Sequence, residues 1–317
     1  MTVAVLAGGV GAARFLGGLI RAVPAHDVTA IVNTGDDTTL HGLAVSPDLD
    51  TVTYTLAGAI DPDRGWGLAG ETWRSMEALQ RYVPVRPEGS TAAPTWFNLG
   101  DRDLATHFYR TARLAEGADL TAVTAEITTA WNLTLRILPM TDDRFRTLIT
   151  LAGTGDEVGF QDYFVRLRHS VPVSGVRFEH DAELTSQSRA ALDGADVVVI
   201  APSNPLVSIG PIRALPGVDE LLASRRSSVV AVSPIVGGAA LKGPADRMLD
   251  ELGLEASVVS VARLYAPVAE VLVVDPADAE LSDAVERAGM RCVVEHSVMS
   301  TPERAEALAR RCLAAVE

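Results

Sequence analysis

Val3-Ala4-Val5-Leu6-Ala7-Gly8-Gly9-Val10-Gly11-Ala12-Ala13-Arg14-Phe15-Leu16 decides how this 317-residue chain is read. Five small or branched apolar residues run into a glycine cluster, and the cluster opens a helical pattern over 12–22. A near-continuous apolar run suits a parallel strand covered on both faces. Glycines permit a tight turn and close approach to a phosphate, and the helix start turns amides and partial positive charge toward it. Arg14 stands where the dinucleotide fingerprint needs its third glycine, and no Gly-Lys-Ser/Thr phosphate loop is present. A tight turn without a ligand is the competing reading.

The same alternation recurs along the chain. Apolar runs at 28–32, 197–201, 229–232, 271–274 and 291–294 are interleaved with amphipathic stretches at 183–192, 245–252, 279–288 and 302–315. Strand and helix in alternation predict a doubly wound, mostly parallel, Rossmann-like α/β sheet. Residues 66–131 read differently. Trp73, Met76 and Leu79 share one helical face, as do Leu104, Phe108 and Ala112, and then Leu120, Val123, Ile127 and Trp131. The proline-rich 84–94 is a loop between such helices. The pattern assigns 1–65 and 136–317 to the α/β core and 66–135 to a mainly helical insertion, with further strands at 145–151 and 173–178.

Composition excludes several classes. Hydrophobic residues make up 48% and charged residues 21%, which fits a chain with a substantial core. Twenty-seven Lys and Arg against 41 Asp and Glu leave a formal charge of -14, and no basic cluster exceeds Arg225-Arg226 or Arg310-Arg311. Such a surface repels phosphate backbones and anionic lipids, so neither nucleic acid nor membrane is expected as a partner. A small anion is still compatible, because backbone amides and a divalent metal hold phosphate without a basic surface. Cys292 and Cys312 match no zinc or redox spacing. With no leader-like start and no long apolar span, a cytoplasmic protein is expected.

The residues able to carry chemistry cluster after the first two strands. Asn33-Thr34-Gly35-Asp36-Asp37 places paired carboxylates at a strand's carboxyl end, where open α/β sheets bind ligands. Ser46-Pro47-Asp48-Leu49-Asp50-Thr51 adds two more. One acid there would suit a ribose hydroxyl, and several suggest a hard cation such as Mg²⁺. A polar turn and a helix N-cap account for the same residues without a ligand. In Leu99-Gly100-Asp101-Arg102-Asp103-Leu104-Ala105-Thr106-His107, capping suffices for both acids. Ala201-Pro202-Ser203-Asn204-Pro205 is a stiff loop after an apolar strand, with small polar groups for a base or phosphate. Lys242 is a candidate phosphate neighbour.

Taken in order, the glycine cluster, Asn33–Asp37, Ser46–Thr51, Asp61-Pro62-Asp63-Arg64-Gly65-Trp66-Gly67, 99–107, 201–205, Ser208-Ile209-Gly210-Pro211-Ile212 and Lys242-Gly243-Pro244 resemble the 2-phospho-L-lactate transferase family of coenzyme F-420 biosynthesis. Its actinobacterial members are phosphoenolpyruvate transferases. The resemblance runs from Leu6 to about Asp275. It implies a magnesium-dependent transferase acting on two substrates. The donor is enolpyruvyl- or lactyl-diphosphoguanosine, and the acceptor is the deazaflavin Fo. The ribityl hydroxyl attacks the phosphate bearing the three-carbon acid and GMP leaves. Dehydro coenzyme F-420-0, or coenzyme F-420-0, is the product.

Carried onto this chain, the resemblance implies Asp36 and Asp50 as catalytic and metal residues, with Asp37 and Asp48 next in line. Gly8, Gly9 and Gly11 would approach the donor's phosphates, and Ser203 and Asn204 would seat its guanosine. Asp50 and Asn98 would contact the deazaflavin, although the family commonly carries a basic residue where Asn98 stands. Asp50 is also the candidate general base, and Trp66, Trp73 and Trp96 are candidates to cover the deazaflavin. A homodimer is expected on base rates. Two other readings share these residues: a nucleotidyltransferase of another phosphorylated substrate, and a non-catalytic nucleotide- or deazaflavin-binding regulator.

Overall fold

Strand Val3–Ala7 lies inside a seven-stranded sheet, and the computed structural model describes residues 1–316 around it. The sheet order is Arg291–Val294, Val271–Val274, Val229–Val232, Val197–Ile200, Val3–Ala7, Val28–Val32 and Arg136–Pro139. Every neighbouring pair is parallel. Val3 pairs with Val28 on one side and with Val197 on the other. Strand order therefore reverses at Val3–Ala7, which opens a crevice at its carboxyl end.

Alternation of side chains across the pleat divides the core in two. Ala4 and Leu6 join the cluster on one face, and Val3, Val5 and Ala7 join the other. Helices Gly9–Ala22 and Pro302–Ala314 cover the second face, joined by Leu49 and Val52 of helix Pro47–Leu56. Gly18 allows the first two to meet, since a Cβ there would lie 2.3 Å from the carbonyl carbon of Ala305. All residues of Val3–Ala7, Val197–Ile200, Val229–Val232 and Val271–Val274, four of the five inner strands, are buried. Each Val or Leu so buried contributes about 1.5–3 kcal/mol.

The expected α/β sheet is present, and the expected strands within it fall within a residue of their places. Arg136–Pro139 is an addition to them. It is an edge strand with only Ile137, Leu138 and Pro139 buried, and its terminal proline is tolerated because an edge leaves the missing N–H unneeded. Phe145–Leu151 and Val173–His180 form a separate antiparallel sheet with Glu157–Gly159. The stretch at 279–288 is split into a 3-10 turn, Pro276–Leu281, and a short helix, Ser282–Arg287.

Between Trp66 and residue 135 the full helices are Asp103–Ala115 and Leu120–Ala130. Residues 66–102 hold only the short helix Arg74–Leu79 and the turn Gln80–Val85, so this part is far less helical than its periodicity suggests. The face of Asp103–Ala115 also differs. Leu104, His107 and Arg110 are buried, while Phe108 is 56% exposed and Ala112 is exposed. Polar partners on the core claim the adjacent stripe of that helix. Among the described residues, no helix is long and apolar enough to cross a membrane. Cys292 and Cys312 are free thiols.

Candidate active site

Asn33 continues the sheet ladder, its N–H donating to the Ala7 carbonyl, and its side chain then organises the turn that ends the strand. The Asn33 Oδ1 accepts from the Gly35 N–H at 2.8 Å, closing an Asx-type turn. Its Nδ2 donates to Asp36 Oδ1 at 3.1 Å and to Asp48 Oδ2 at 3.0 Å. Gln161, just after strand Glu157–Gly159, donates to Asp36 Oδ2 at 2.7 Å. Ser46 donates to Asp37 Oδ2 at 2.6 Å. Pro47 at the start of helix Pro47–Leu56 sets Asp48 and Asp50 in its first turn. Asp48 also accepts the Gly9 N–H and lies over Gly8, where a Cβ would come within 2.8 Å of Asp48 Oδ2.

These carboxylates are unequal in their environment. Burial pushes Asp48 up to about 6, against the opposing hydrogen bonds from Asn33 and Gly9. Burial and then the neighbouring Asp48 and Asp37 charges raise Asp36 well above the usual range. Burial also raises Asp37, with the Ser46 hydroxyl and Arg110 opposing it. Asp37 Oδ1 is buried without a hydrogen-bond partner among the described residues. These three carboxylates are crowded and desolvated, and Asp37 keeps an unused oxygen, but their oxygens do not all lie within 4.8 Å of one another.

Asp50 belongs to a second group. Arg110, only 2% exposed, engages both Asp50 oxygens from helix Asp103–Ala115. His107 lies alongside, its Nδ1 3.3 Å from the guanidinium and its Nε2 3.4 Å from Asp103 Oδ2. Tyr54 donates to Asp103 Oδ1 at 2.6 Å. Burial raises Asp103, but His107 and the Tyr54 hydroxyl outweigh it and hold that carboxyl below its ordinary value. Asp50, Asp103 and His107 would make a metal triad by distance. The Arg110 guanidinium already supplies the cation for Asp50 there. The structure thus ties Asp36 to Asp48 through Asn33, while Asp50, whose charge also reaches Asp37, is paired with Arg110.

The glycine loop is clasped from the far side of the switch point. Ser203 Oγ donates to the Gly8 carbonyl at 2.8 Å and accepts the Gly8 N–H at 3.3 Å. A Cβ at Gly11 would lie 2.1 Å from the Pro202 carbonyl oxygen. Asn204 spends its oxygen on the Leu206 N–H at 2.9 Å, shaping its own loop. Ser203 and Asn204 are therefore engaged within the protein, and Asn98 is exposed ahead of helix Asp103–Ala115. Lys242 reaches the 61–67 loop, its Nζ 2.5 Å from where a Gly65 Cβ would stand. Trp66 and Trp73 flank the Arg64 guanidinium at 5.3 and 5.2 Å, and Trp96 packs edge-on against Phe97.

Sequence reasoning gives Asn33 no role of its own and passes over Tyr54, Arg110 and Gln161. Arg110 carries a signal, because Leu104, His107 and Arg110 recur at three-residue spacing. Gln161 carries none, since a strand of another sheet delivers it.

Comparison with known proteins places the chain in a family. A sequence model of 2-phospho-L-lactate transferase CofD matches residues 3–312. A phosphoenolpyruvate transferase of Streptomyces griseus is 43% identical over 323 residues, covering 100% of this chain and 99% of that protein. One from Mycobacterium avium is 42% identical over 290 residues, covering 84% of each. A Bacillus halodurans protein of the UPF0052 family has the same fold, with a TM-score of 0.62 at 16% identity and coverage of 100% of this chain and 98% of that one. With carboxylates gathered at the switch point and a match along nearly its whole length, the chain belongs to the 2-phospho-L-lactate transferase CofD family and is a transferase.

Proposed function

We propose that this transferase of coenzyme F-420 biosynthesis moves the phosphoenolpyruvyl group, or the 2-phospholactyl group, from a guanosine diphosphate conjugate to the ribityl hydroxyl of Fo. The hydroxyl oxygen bonds to the phosphorus bearing the three-carbon acid, the bond from that phosphorus to GMP breaks, and the hydroxyl proton leaves to water. The names of the relatives favour the enolpyruvyl donor. The observation that carries the reading is the Asp36–Asp37–Asp48 cluster beside the glycine loop at the switch point.

In this reading Asp36 and Asp48, brought to one amide by Asn33, would bind Mg²⁺ together with water and the donor's phosphates. The bound metal supplies charge neutralisation on the phosphate oxygens, which with alignment makes up most of what phosphoryl-type transfer requires. Asn33 and Gln161 fix the carboxylates against their mutual repulsion. Asp50, whose oxygens are shared with Arg110, orients the acceptor hydroxyl instead of taking its proton. Gly8 and Gly9 leave room for the donor's phosphates.

Mass spectrometry of a mixture of the protein, Mg²⁺, Fo and both conjugates tests this. A new deazaflavin phosphodiester with equal GMP release is expected, its mass naming the donor. Binding of Fo without release of GMP would replace the transferase with the regulator reading.

A further inference from the structure

Helix Asp103–Ala115 carries no cap of its own. The side chain of Arg102, just before it, makes no capping hydrogen bond. Asp101 instead accepts the Arg74 and Ser75 N–H groups at 3.0 and 3.1 Å, capping the short helix Arg74–Leu79, and Asp103 is taken by Tyr54. The cap comes from Glu71, in the loop before that short helix. One Glu71 oxygen accepts the Arg102 N–H at 2.7 Å and the other accepts the Asp103 N–H at 2.9 Å. The Leu104 N–H donates to the Gly100 carbonyl at 2.9 Å. The orphan donors of the first turn are thus met, and a carboxylate lies at the positive end of the helix. Glu71 reaches them because residue 100 is glycine: a Cβ there would run into its carboxyl group.

The helix start governs what lies further along. Asp103, His107 and Arg110 form one buried stripe, and it faces Asp50 and Tyr54, a turn apart on helix Pro47–Leu56. Tyr54 meets Asp103 at the capped end, and Arg110 meets both Asp50 oxygens two turns on. Asp103, whose N–H is held by Glu71, is therefore one of the two points that register the helices. Resting on the reading in which Asp50 orients the acceptor, we propose that Glu71 is a positioning residue for the acceptor. Seated over Gly100, it fixes the start of helix Asp103–Ala115, and through Arg110 the direction in which Asp50 presents its carboxylate. A two-pronged pairing such as Arg110 with Asp50 is sensitive to small shifts, because both N–H groups must stay aligned with both oxygens. The donor's phosphates, placed at Gly8 and Gly9, lie outside this chain of contacts.

Calorimetric titration in Mg²⁺ buffer tests this with two probes, Fo and GDP. Glu71→Ala removes the cap, whereas Gly100→Ala keeps the carboxylate and displaces only its flexible end. Both are expected to weaken Fo about three- to tenfold and to leave GDP unchanged. In an Asp50→Asn background neither should weaken Fo further, because the route to the acceptor is already cut. Leu308→Ala, which removes a fully buried side chain of helix Pro302–Ala314, should lower the melting temperature and leave Fo binding intact. Unchanged Fo binding in Glu71→Ala, equal weakening of Fo and GDP, losses additive with Asp50→Asn, or a comparable loss of Fo in Leu308→Ala each overturn the role of Glu71 alone. Wild-type protein that does not bind Fo overturns the acceptor reading, and the role of Glu71 with it.

Discussion

At the residue scale, Asn33 shows how one side chain makes an unfavourable site possible. Its amide offers two donors, and both go to carboxylates that repel each other. The cost is visible in Asp48, whose ordinary 3.8 is raised to about 6 by burial. Folded Asp48 therefore binds its proton more tightly than the unfolded chain does. Its contribution to stability is fully present below pH 3.8 and is lost as pH rises through about 6, an effect of at most about 3 kcal/mol. Burial raises Asp36 and Asp37 as well, so both act in the same direction. Melting in a chelator is expected to drop in temperature from pH 5 to pH 8, and Mg²⁺ should restore more at pH 8. A melting temperature that Mg²⁺ leaves unmoved at both pH values would remove the cation from the cluster.

Arg110 is the complementary case. Removing one partner of a buried ion pair strands the other, so Arg110→Met is expected to cost about 3–5 kcal/mol in urea unfolding. Adding Asp50→Asn to that variant should regain part of the loss, since no unpaired buried charge is then left.

At the scale of elements, the helix Gly9–Ala22 contains two glycines with opposite expectations. Gly11 faces the Pro202 carbonyl, and Gly11→Ala must force the helix away from the 201–205 loop and loosen the Ser203 clasp. Gly17 has nothing within 4 Å of its missing Cβ, so Gly17→Ala is expected to raise stability by about 0.5–1 kcal/mol through helix propensity. Chemical denaturation of the two variants gives both signs in one experiment. The elements themselves are unevenly legible. Buried parallel strands such as Val271–Val274 announce themselves as unbroken branched runs. Arg136–Pro139 does not, because an edge strand of four residues carries little apolar signal. Apolar periodicity misplaces the buried face of Asp103–Ala115, because the core supplies Asp50 as its partner there. The acids of the site are legible as motifs. Their pairing is not, since tertiary contacts with Asn33 and Arg110 decide it.

At the scale of the molecule, the two ends of the chain brace each other behind the site. Helix Pro302–Ala314 packs on Gly9–Ala22 through Leu308, Ala309, Cys312 and Leu313. Arg21 adds contacts to Glu303 and Glu306 at the surface. Leu308→Ala removes a fully buried side chain and is expected to cost about 2–5 kcal/mol. Its effect on Mg²⁺-dependent melting should be nil, because the acidic cluster lies at the other end of the first helix. A loss of the Mg²⁺ response in this variant would mean that the C-terminal helix helps to shape the cluster.

The placing of Val3–Ala7 between Val28–Val32 and Val197–Ile200 has a consequence during synthesis. One neighbour emerges from the ribosome at once, and the other some 165 residues later (Val32 to Val197). At ~5–20 residues per second, the first strand waits roughly ten to thirty seconds with a long apolar edge unpaired. Until then Ser203 is not there to clasp Gly8, so the nascent N-terminal half carries the acids of the site without the loop that closes it. The interval is an opening for chaperones, and for premature pairing between neighbouring nascent chains.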